Sequence, residues 1–258
     1  MIRFEDGARY EQTMGTWSRL VGEVFLDWLA PPQGLRWIDI GCGNGAFTEL
    51  LVERCGPFEV HGLDSSEGQL AFALTRPAIR GAAFCKGDAM ALPYPGSRFD
   101  AAVMALVIVF VPDPAKGLKE MVRVVRPGGT VATYVWDMLG GGFPLEPILA
   151  EMRAIGLTPP SPPQPNASRI AALRELWTGA GLQQVETREI TVQRTFAHFD
   201  DFWLTNLASP TVRPVIASLT PSDAETLKNR VRAGLSTDSG GHIVVGARAN
   251  LVKGMCQQ

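Results

Sequence analysis

Five short apolar runs alternate with helix-like stretches between residues 35 and 137 of this 258-residue chain. The runs cover residues 35–40, 58–64, 82–88, 99–109 and 129–137, and amphipathic or mixed stretches fill most of the intervals between them. Strands that are apolar along nearly their whole length are typical of a parallel sheet with helices packed on both faces. The alternation therefore predicts an α/β fold with a doubly wound sheet.

Two later segments complete the predicted sheet. Residues 183–196 alternate like an exposed strand, and residues 241–252 close the chain as a last strand that we expect to insert antiparallel beside them. The result is a seven-stranded, mostly parallel sheet with one antiparallel strand. We expect an N-terminal helical lid at 1–34, a ligand-binding core at 35–137, and at 138–258 the completion of the sheet with a helical cap.

Composition excludes several functional classes. The 24 basic and 26 acidic residues give a net charge of −2. The sequence has no block of Lys and Arg, so it lacks the charge pattern of a nucleic-acid-binding protein. The longest apolar run, 101–111, is too short to span a membrane, and the N-terminus lacks the apolar core of a signal peptide. Cys42, Cys55, Cys85 and Cys256 show no metal-ligand spacing. We therefore expect a cytoplasmic protein with reduced thiols and no metal.

A glycine-rich loop, "GCGNG" at 41–45, joins the first predicted strand to the first core helix. Such a loop lets a ligand lie against bare backbone at the N-terminus of a helix. Gly41, Gly43 and Ala46 also satisfy the dinucleotide fingerprint G-x-G-x-x-G/A. The loop taken alone therefore leaves an NAD(P)-dependent oxidoreductase open as an alternative.

Carboxylates at three successive strand ends favour a different ligand. Asp39 would repel a pyrophosphate but suits a ligand with an ammonium or a sulfonium group. Asp64 is placed to accept hydrogen bonds from both hydroxyls of a ribose, and Asp88 from an adenine amine. A nucleoside that carries an amino acid and no phosphate meets these conditions, and S-adenosylmethionine is such a molecule.

The segments "IDIGCGNGAF" (38–47), "GLDSSEGQL" (62–70) and "KGDAMALP" (86–93), with the "RPGG" turn at 126–129, carry a family resemblance. Together they resemble the class I S-adenosylmethionine-dependent methyltransferases, nearest to the methyltransferase type 11 branch that includes quinone-biosynthetic C-methylases. The resemblance covers roughly residues 8–137. It implies a Rossmann-like fold and methyl transfer from S-adenosylmethionine.

The resemblance also implies twelve cofactor contacts: Tyr10, Asp39, Gly41, Cys42, Gly43, Asp64, Ser65, Gln69, Asp88, Ala89, Ala105 and Leu106. The glycine loop with Asp39 would surround the methionine part, and backbone carbonyls of Ala105 and Leu106 would bind its amino-acid group. Ser65 and Ala89 would lie beside the adenine, and Tyr10 in a helix that folds over the cofactor. Gln69 departs from the family, since many members have a methionine there.

The reaction itself requires few protein groups. The acceptor atom must lie in line with the methyl–sulfur bond, and a general base is needed only for a weakly nucleophilic acceptor. His198 is a candidate base, although a structural role at the start of a helix is the favoured interpretation. No catalytic residue is assigned.

Aromatic residues near the predicted cap favour a small apolar or aromatic acceptor over protein or nucleic acid: Trp136, Phe143, Phe196, Phe199, Phe202 and Trp203. A module that binds S-adenosylmethionine without turnover is a second alternative, because methyl transfer has no obligatory catalytic side chain. The chain could act alone or as a homodimer.

Overall fold

The computed structural model describes residues 6–257. Seven strands of this part of the chain form one sheet: β1 (Arg36–Ile40), β2 (Glu59–Asp64), β3 (Ala83–Lys86), β4 (Phe99–Ala105), β5 (Val125–Trp136), β6 (Gln183–Phe196) and β7 (Ile243–Met255). Ten α-helices in the same residues flank the sheet: α1 (Gly7–Tyr10), α2 (Thr16–Leu29), α3 (Ala46–Cys55), α4 (Glu67–Ala73), α5 (Pro114–Val124), α6 (Glu146–Ala154), α7 (Ile170–Gly179), α8 (Phe199–Leu207), α9 (Arg213–Ala217) and α10 (Pro221–Gly234).

The strands follow the order β3-β2-β1-β4-β5-β7-β6. Strands β1 to β5 pair in parallel, whereas β7 lies between β5 and β6 and is antiparallel to both. The order reverses at β1, so the loops that follow β1 and β4 diverge and leave a crevice at the carboxyl edge of the sheet. The predicted doubly wound, seven-stranded sheet with one antiparallel strand is confirmed.

Burial explains why the central strands are apolar. Ile38 and Ile40 of β1 point to one face of the sheet, and Trp37 and Asp39 to the other, and all four are at most 1% exposed. Each face is covered by helices, so a central strand has no solvent-facing side and cannot show the alternation of an exposed strand. Strand β6 at the edge keeps its alternation of exposed and buried positions.

The N-terminal helical segment begins at Gly7, within the range 1–34 of the expected lid. Helix α1 continues through a π-helical turn, Glu11–Gly15, into α2. Helix α2 ends at Ala30, whose φ of 46° is left-handed and whose N–H bonds to the carbonyl of Leu26. Residues 1–5 of the expected lid lie outside the described residues.

The segment after β5 contains the helices predicted for the cap. Helices α8, α9 and α10 lie in the second half of the segment 138–258 for which a helical cap is predicted, and α6 is a helix that no sequence pattern predicted. Strand β4 ends at Ala105, short of the predicted 109, because Leu106 has a φ of 64° and the chain turns into a 3-10 helix at Ile108–Phe110. None of the described helices is long and apolar enough to span a membrane.

Candidate functional site

A cavity of about 1090 Å³ opens at the carboxyl edge of the sheet. All twelve residues that the sequence resemblance singles out lie in its lining, from Tyr10 to Leu106. They come from the N-terminal segment, the glycine loop, the loops after β2 and β3, and the end of β4. The fold therefore brings five separate segments of the chain to one place.

The three glycines of the loop are required for different reasons. Gly41, Gly43 and Gly45 all have left-handed φ values, between 54° and 80°. A Cβ atom at Gly41 would lie 2.5 Å from Val107, and one at Gly45 would lie 2.8 Å from Ile79. At Gly43 a Cβ atom would make only an ordinary contact, with Oε1 of Gln69 at 3.7 Å. Close packing within the protein explains Gly41 and Gly45, whereas at Gly43, which lines the cavity, no close neighbour excludes a side chain.

Asp39 is fully buried on the floor of the cavity. Its Oδ2 accepts a 2.7 Å hydrogen bond from Oγ1 of Thr48, and its Oδ1 has no partner among the described residues. Burial raises the pKa of this carboxyl group to about 7, because a charge there is poorly solvated. A cationic group placed beside it would offset that penalty.

Asp64 supports the glycine loop as well as facing the cavity. Its Oδ2 accepts from the N–H of Gly43 at 2.9 Å, and its Oδ1 from the N–H of Ser66 at 2.8 Å. Ser66 in turn caps α4 through its own hydroxyl group, which accepts from the N–H of Gln69. Burial raises the pKa of Asp64, and the backbone N–H groups partly oppose that shift. Each carboxylate oxygen keeps a lone pair for a further donor.

Asp88 and Gln69 differ in exposure. Asp88 is exposed and accepts from the N–H of Met90 at 2.8 Å, so it also organises the turn after β3. Gln69 is 3% exposed, and neither its amide oxygen nor its amide nitrogen has a partner among the described residues. An unpaired buried amide costs free energy, which indicates a polar ligand or water at this position.

Cys42 lies in the cavity wall as a buried free thiol. Burial and the nearby Asp39 and Asp64 carboxylates raise the pKa of the thiol well above its ordinary value. The thiolate is the reactive form of cysteine. Cys42 is therefore a small filler of the loop and not a nucleophile.

No histidine lines the cavity in the described part of the chain. His198 caps α8, where its Nδ1 accepts from the N–H of Asp201 at 3.1 Å, and the predicted role at the start of a helix is confirmed. His61 pairs with Glu59 in β2, and His242 with Asp238 on the surface. Residues 6–257 contain no group of three or more His, Cys, Asp or Glu placed to hold a metal ion.

The cavity also has a large apolar part, with walls formed by Val109, Phe110, Val111, Pro112, Trp136, Met138, Phe143, Leu149, Pro160 and Pro163. Of the aromatic residues predicted for the acceptor pocket, Trp136 and Phe143 line it. The other four, Phe196, Phe199, Phe202 and Trp203, pack in the core against one another.

A polar network behind the glycine loop is not predicted by any sequence pattern. Arg76, Glu11 and Asn44 meet there, although they are far apart in the sequence. No motif marks Arg76, which stands in the loop after α4. Its contacts depend on how three helices are packed.

The match to known proteins agrees with this geometry. Residues 38–133 match the family model of a methyltransferase domain. The chain is 43% identical over 95 residues to chloroplastic 2-methyl-6-phytyl-1,4-hydroquinone methyltransferase 2 of Oryza sativa subsp. japonica, which is 37% of this chain and 27% of that protein. It is 33% identical over 125 residues to the ubiquinone/menaquinone biosynthesis C-methyltransferase UbiE of Roseobacter denitrificans, 47% of this chain and 50% of that protein. The chain thus spans half or less of these relatives.

Solved structures extend the similarity to the whole fold. Phosphoethanolamine N-methyltransferase 2 of Haemonchus contortus, solved with S-adenosyl-L-methionine, superposes with a TM-score of 0.60 at 18% identity, covering 97% of this chain and 56% of that one. The superposition shows that the chain has the fold of this methyltransferase. More narrowly, residues 38–133 match the methyltransferase domain model, in agreement with the resemblance to class I S-adenosylmethionine-dependent methyltransferases. The nicotinamide alternative is not favoured.

Proposed function

We propose that this protein transfers the methyl group of S-adenosylmethionine to a small, apolar or aromatic acceptor. The observation that carries the proposal is the charge of the cavity lining. Among residues 6–257, the charged residues of the lining are Asp39, Asp64, Glu67, Asp88 and Lys86, and the single cation of this set, Lys86, is exposed and paired with Glu67. A dinucleotide would place its pyrophosphate among carboxylates, whereas a sulfonium and an ammonium group are attracted there.

The lining also fits the shape and polarity of this cofactor. The unpaired Oδ1 of Asp39 would receive the methionine amino group, directly or through a water. Asp64 would accept from the ribose hydroxyls, and Asp88 with the backbone of Ala89 would contact the adenine. Gly43 lines the cavity without a side chain and would let the cofactor lie against its backbone. Tyr10 would cover the methionine end from the N-terminal segment.

When bound, the cofactor would supply an electrophilic methyl group. The protein's part is to hold the acceptor in line with it and to keep water out, and the apolar walls around Phe110, Met138 and Phe143 suit that role. The sulfonium becomes a neutral thioether during transfer. A dry site with nearby carboxylates suits both the charged sulfonium and the transition state in which that charge is dispersed. With no histidine in the lining, an acceptor that needs a base would have to use water or another group.

The named relatives suggest the first acceptors to test. The names of two relatives contain a hydroquinone and a demethylmenaquinone as the compound that is methylated. The apolar part of the cavity is compatible with such rings. The finer assignment to a particular acceptor and methylated atom is left to experiment.

Calorimetric titration with S-adenosylhomocysteine and with NADH tests the cofactor. We expect micromolar or tighter binding of S-adenosylhomocysteine and no binding of NADH. Binding of NADH alone would instead favour the oxidoreductase alternative. A radiolabelled methyl donor with a panel of hydroquinones, phenols and amines then tests turnover. Tight cofactor binding without transfer to any member would favour the non-catalytic module.

We also keep the cytoplasmic location and the homodimer as predictions. Fractionation of the source cells tests the first. Sedimentation of the purified protein across a range of concentrations tests the second.

A further inference from the structure

The guanidinium group of Arg76 joins three parts of the cofactor site from behind. Its Nε donates to the carbonyl of Asn44 at 2.7 Å, its Nη1 to Glu49 of α3 at 2.6 Å, and its Nη2 to Oε2 of Glu11. The side chain of Arg76 is only 12% exposed. These bonds join the glycine loop, the helix that follows it, and the N-terminal segment.

Asn44 completes the connection from inside the loop. It is 1% exposed and lies between Gly43 and Gly45. Its Nδ2 donates to Oε2 of Glu11 at 2.7 Å and to the carbonyl of Gly7 at 3.3 Å, while its Oδ1 accepts from the N–H of Ala46. One oxygen of Glu11 therefore serves both Asn44 and Arg76. The position of the N-terminal segment depends on the position of the loop.

The N-terminal segment, residues 7–15, contributes to the cavity wall. It supplies Tyr10 and Met14, which line the cavity together with the glycine loop. Its π-helical turn at Glu11–Gly15 begins with Glu11, the residue bound by Arg76. Single π-turns within helices often occur at functional sites and interrupt the regular hydrogen-bond ladder. Glu11 thus fixes the segment where the helix is least regular.

We propose that Arg76 is a positioning residue for the cofactor site, which holds the N-terminal segment closed against the glycine loop through Glu11 and Asn44. This inference rests on the proposed function. Arg76 does not line the cavity, so it acts through Tyr10 and the loop and makes no contact with the cofactor. The planar guanidinium group has separate N–H donors for each of its three acceptors, Asn44, Glu49 and Glu11. The ammonium group of a lysine cannot supply that geometry.

A double-mutant cycle between Glu11 and Arg76 tests the proposal when it is measured in two ways. The variants Glu11→Gln, Arg76→Met and the double variant are titrated with S-adenosylhomocysteine, and their melting temperatures are recorded. We expect each single variant to weaken binding about 10-fold, mainly through faster dissociation, and the double variant to be no worse than either. Arg76→Lys should recover only part of the affinity.

The matched control is Arg19→Met, since Arg19 also bridges helices, with ion pairs to Glu23 and Glu53, but is half exposed and outside the network. Its affinity should equal that of the wild type. Coupling between Glu11 and Arg76 that appears in the melting temperatures and not in the dissociation constants would overturn the proposal, because the network would then be structural only. Failure of the wild type to bind S-adenosylhomocysteine would instead refute the proposed function.

Discussion

Oγ1 of Thr48 donates a 2.7 Å hydrogen bond to one carboxylate oxygen of Asp39 and leaves the other oxygen without a partner in the described chain. A fully buried carboxyl group with one hydrogen bond is poorly stabilised in its charged form. This relationship makes Asp39 sensitive to pH and to a cationic ligand.

The free energy of unfolding should therefore depend on pH through Asp39. Because burial raises its folded pKa to about 7 from an ordinary 3.8, the folded state binds more protons than the unfolded state between these values. The contribution of Asp39 to stability is full below about pH 4 and falls as the pH rises to about 7. Relative to the wild type, Asp39→Asn should gain stability over that interval, by about 1–4 kcal/mol at pH 8. Denaturant unfolding at several pH values measures the difference, and parallel curves would contradict it.

The bound cofactor should reverse the preference of Asp39 for its protonated form. An ammonium group beside Asp39 favours the ionised carboxylate, so binding of S-adenosylhomocysteine should tighten from pH 6 to pH 7 in the wild type. Asp39→Asn should bind more weakly and lose that slope. Titrations in two buffers of different ionisation enthalpy detect the proton released on binding; equal proton release in both proteins would remove Asp39 from the site.

Asp64→Ala should lose affinity and stability together. It removes the acceptor of the Gly43 and Ser66 N–H groups, which we expect to cost about 1–2 kcal/mol of stability. If the carboxylate also binds both ribose hydroxyls, affinity for S-adenosylmethionine should fall by about 2–4 kcal/mol, or roughly 30- to 1000-fold. Asp64→Asn should lie between the alanine variant and the wild type.

Ser66→Ala provides the control for Asp64, because it removes the cap of α4 and keeps the carboxylate. It should cost about 1 kcal/mol of stability and, although Ser66 lines the cavity, lower cofactor affinity much less than Asp64→Ala does. Calorimetry and melting curves of these variants separate the two roles. If Asp64→Ala behaves like Ser66→Ala, then Asp64 only organises the loop.

Alanine at Gly41 and at Gly43 should have different effects. Gly41→Ala meets Val107 at 2.5 Å and also has a left-handed φ, so we expect a loss of about 2–4 kcal/mol of stability. Gly43→Ala has space for its methyl group, so only the left-handed φ should lower stability, by about 1–2 kcal/mol. The methyl group should, however, weaken cofactor binding. Val107→Ala should partly rescue Gly41→Ala. Equal effects of both alanine variants on binding would contradict this division.

A remote variant should change stability alone. Asp100, at the start of β4, accepts from the backbone N–H and the guanidinium of Arg36 and from Arg126, which lowers the pKa of the carboxyl group far below its usual range. A lowered pKa contributes stability above about pH 4 that is lost as the pH falls. Asp100→Asn should therefore cost about 1–3 kcal/mol at pH 7 and progressively less in acid. Its cofactor affinity should be that of the wild type; a change would show long-range coupling to the site.

Local patterns in the sequence predicted the sheet and the gathering of its strand ends. Periodicity and burial act over a few residues, so the five parallel strands and the position of β7 could be inferred. The reason why each glycine is needed could not be inferred from the sequence, because the contact of Gly41 with Val107 joins segments that only the folded chain brings together. Arg76 escaped prediction for the same reason, as its partners lie up to 65 residues away.

The cap was only partly predictable. Most of the aromatic residues at 196–203 are expected in the core, and the structure places Phe202 there at 0% exposure. Helix α6 lacked a clear signal, since glycines and prolines surround it. Which side of an aromatic cluster faces a cavity depends on how α8 and α10 pack, and composition does not determine that packing.

The position of β7 between β5 and β6 has a consequence for synthesis on the ribosome. Residues 243–255 pair with Val125–Trp136, more than a hundred residues earlier in the chain. Until they emerge, β5 has an open edge and β6 has no neighbour, and unpaired edges promote association between chains. The nascent protein therefore carries an exposed template for mispairing from the synthesis of β5 until β7 emerges and pairs with it.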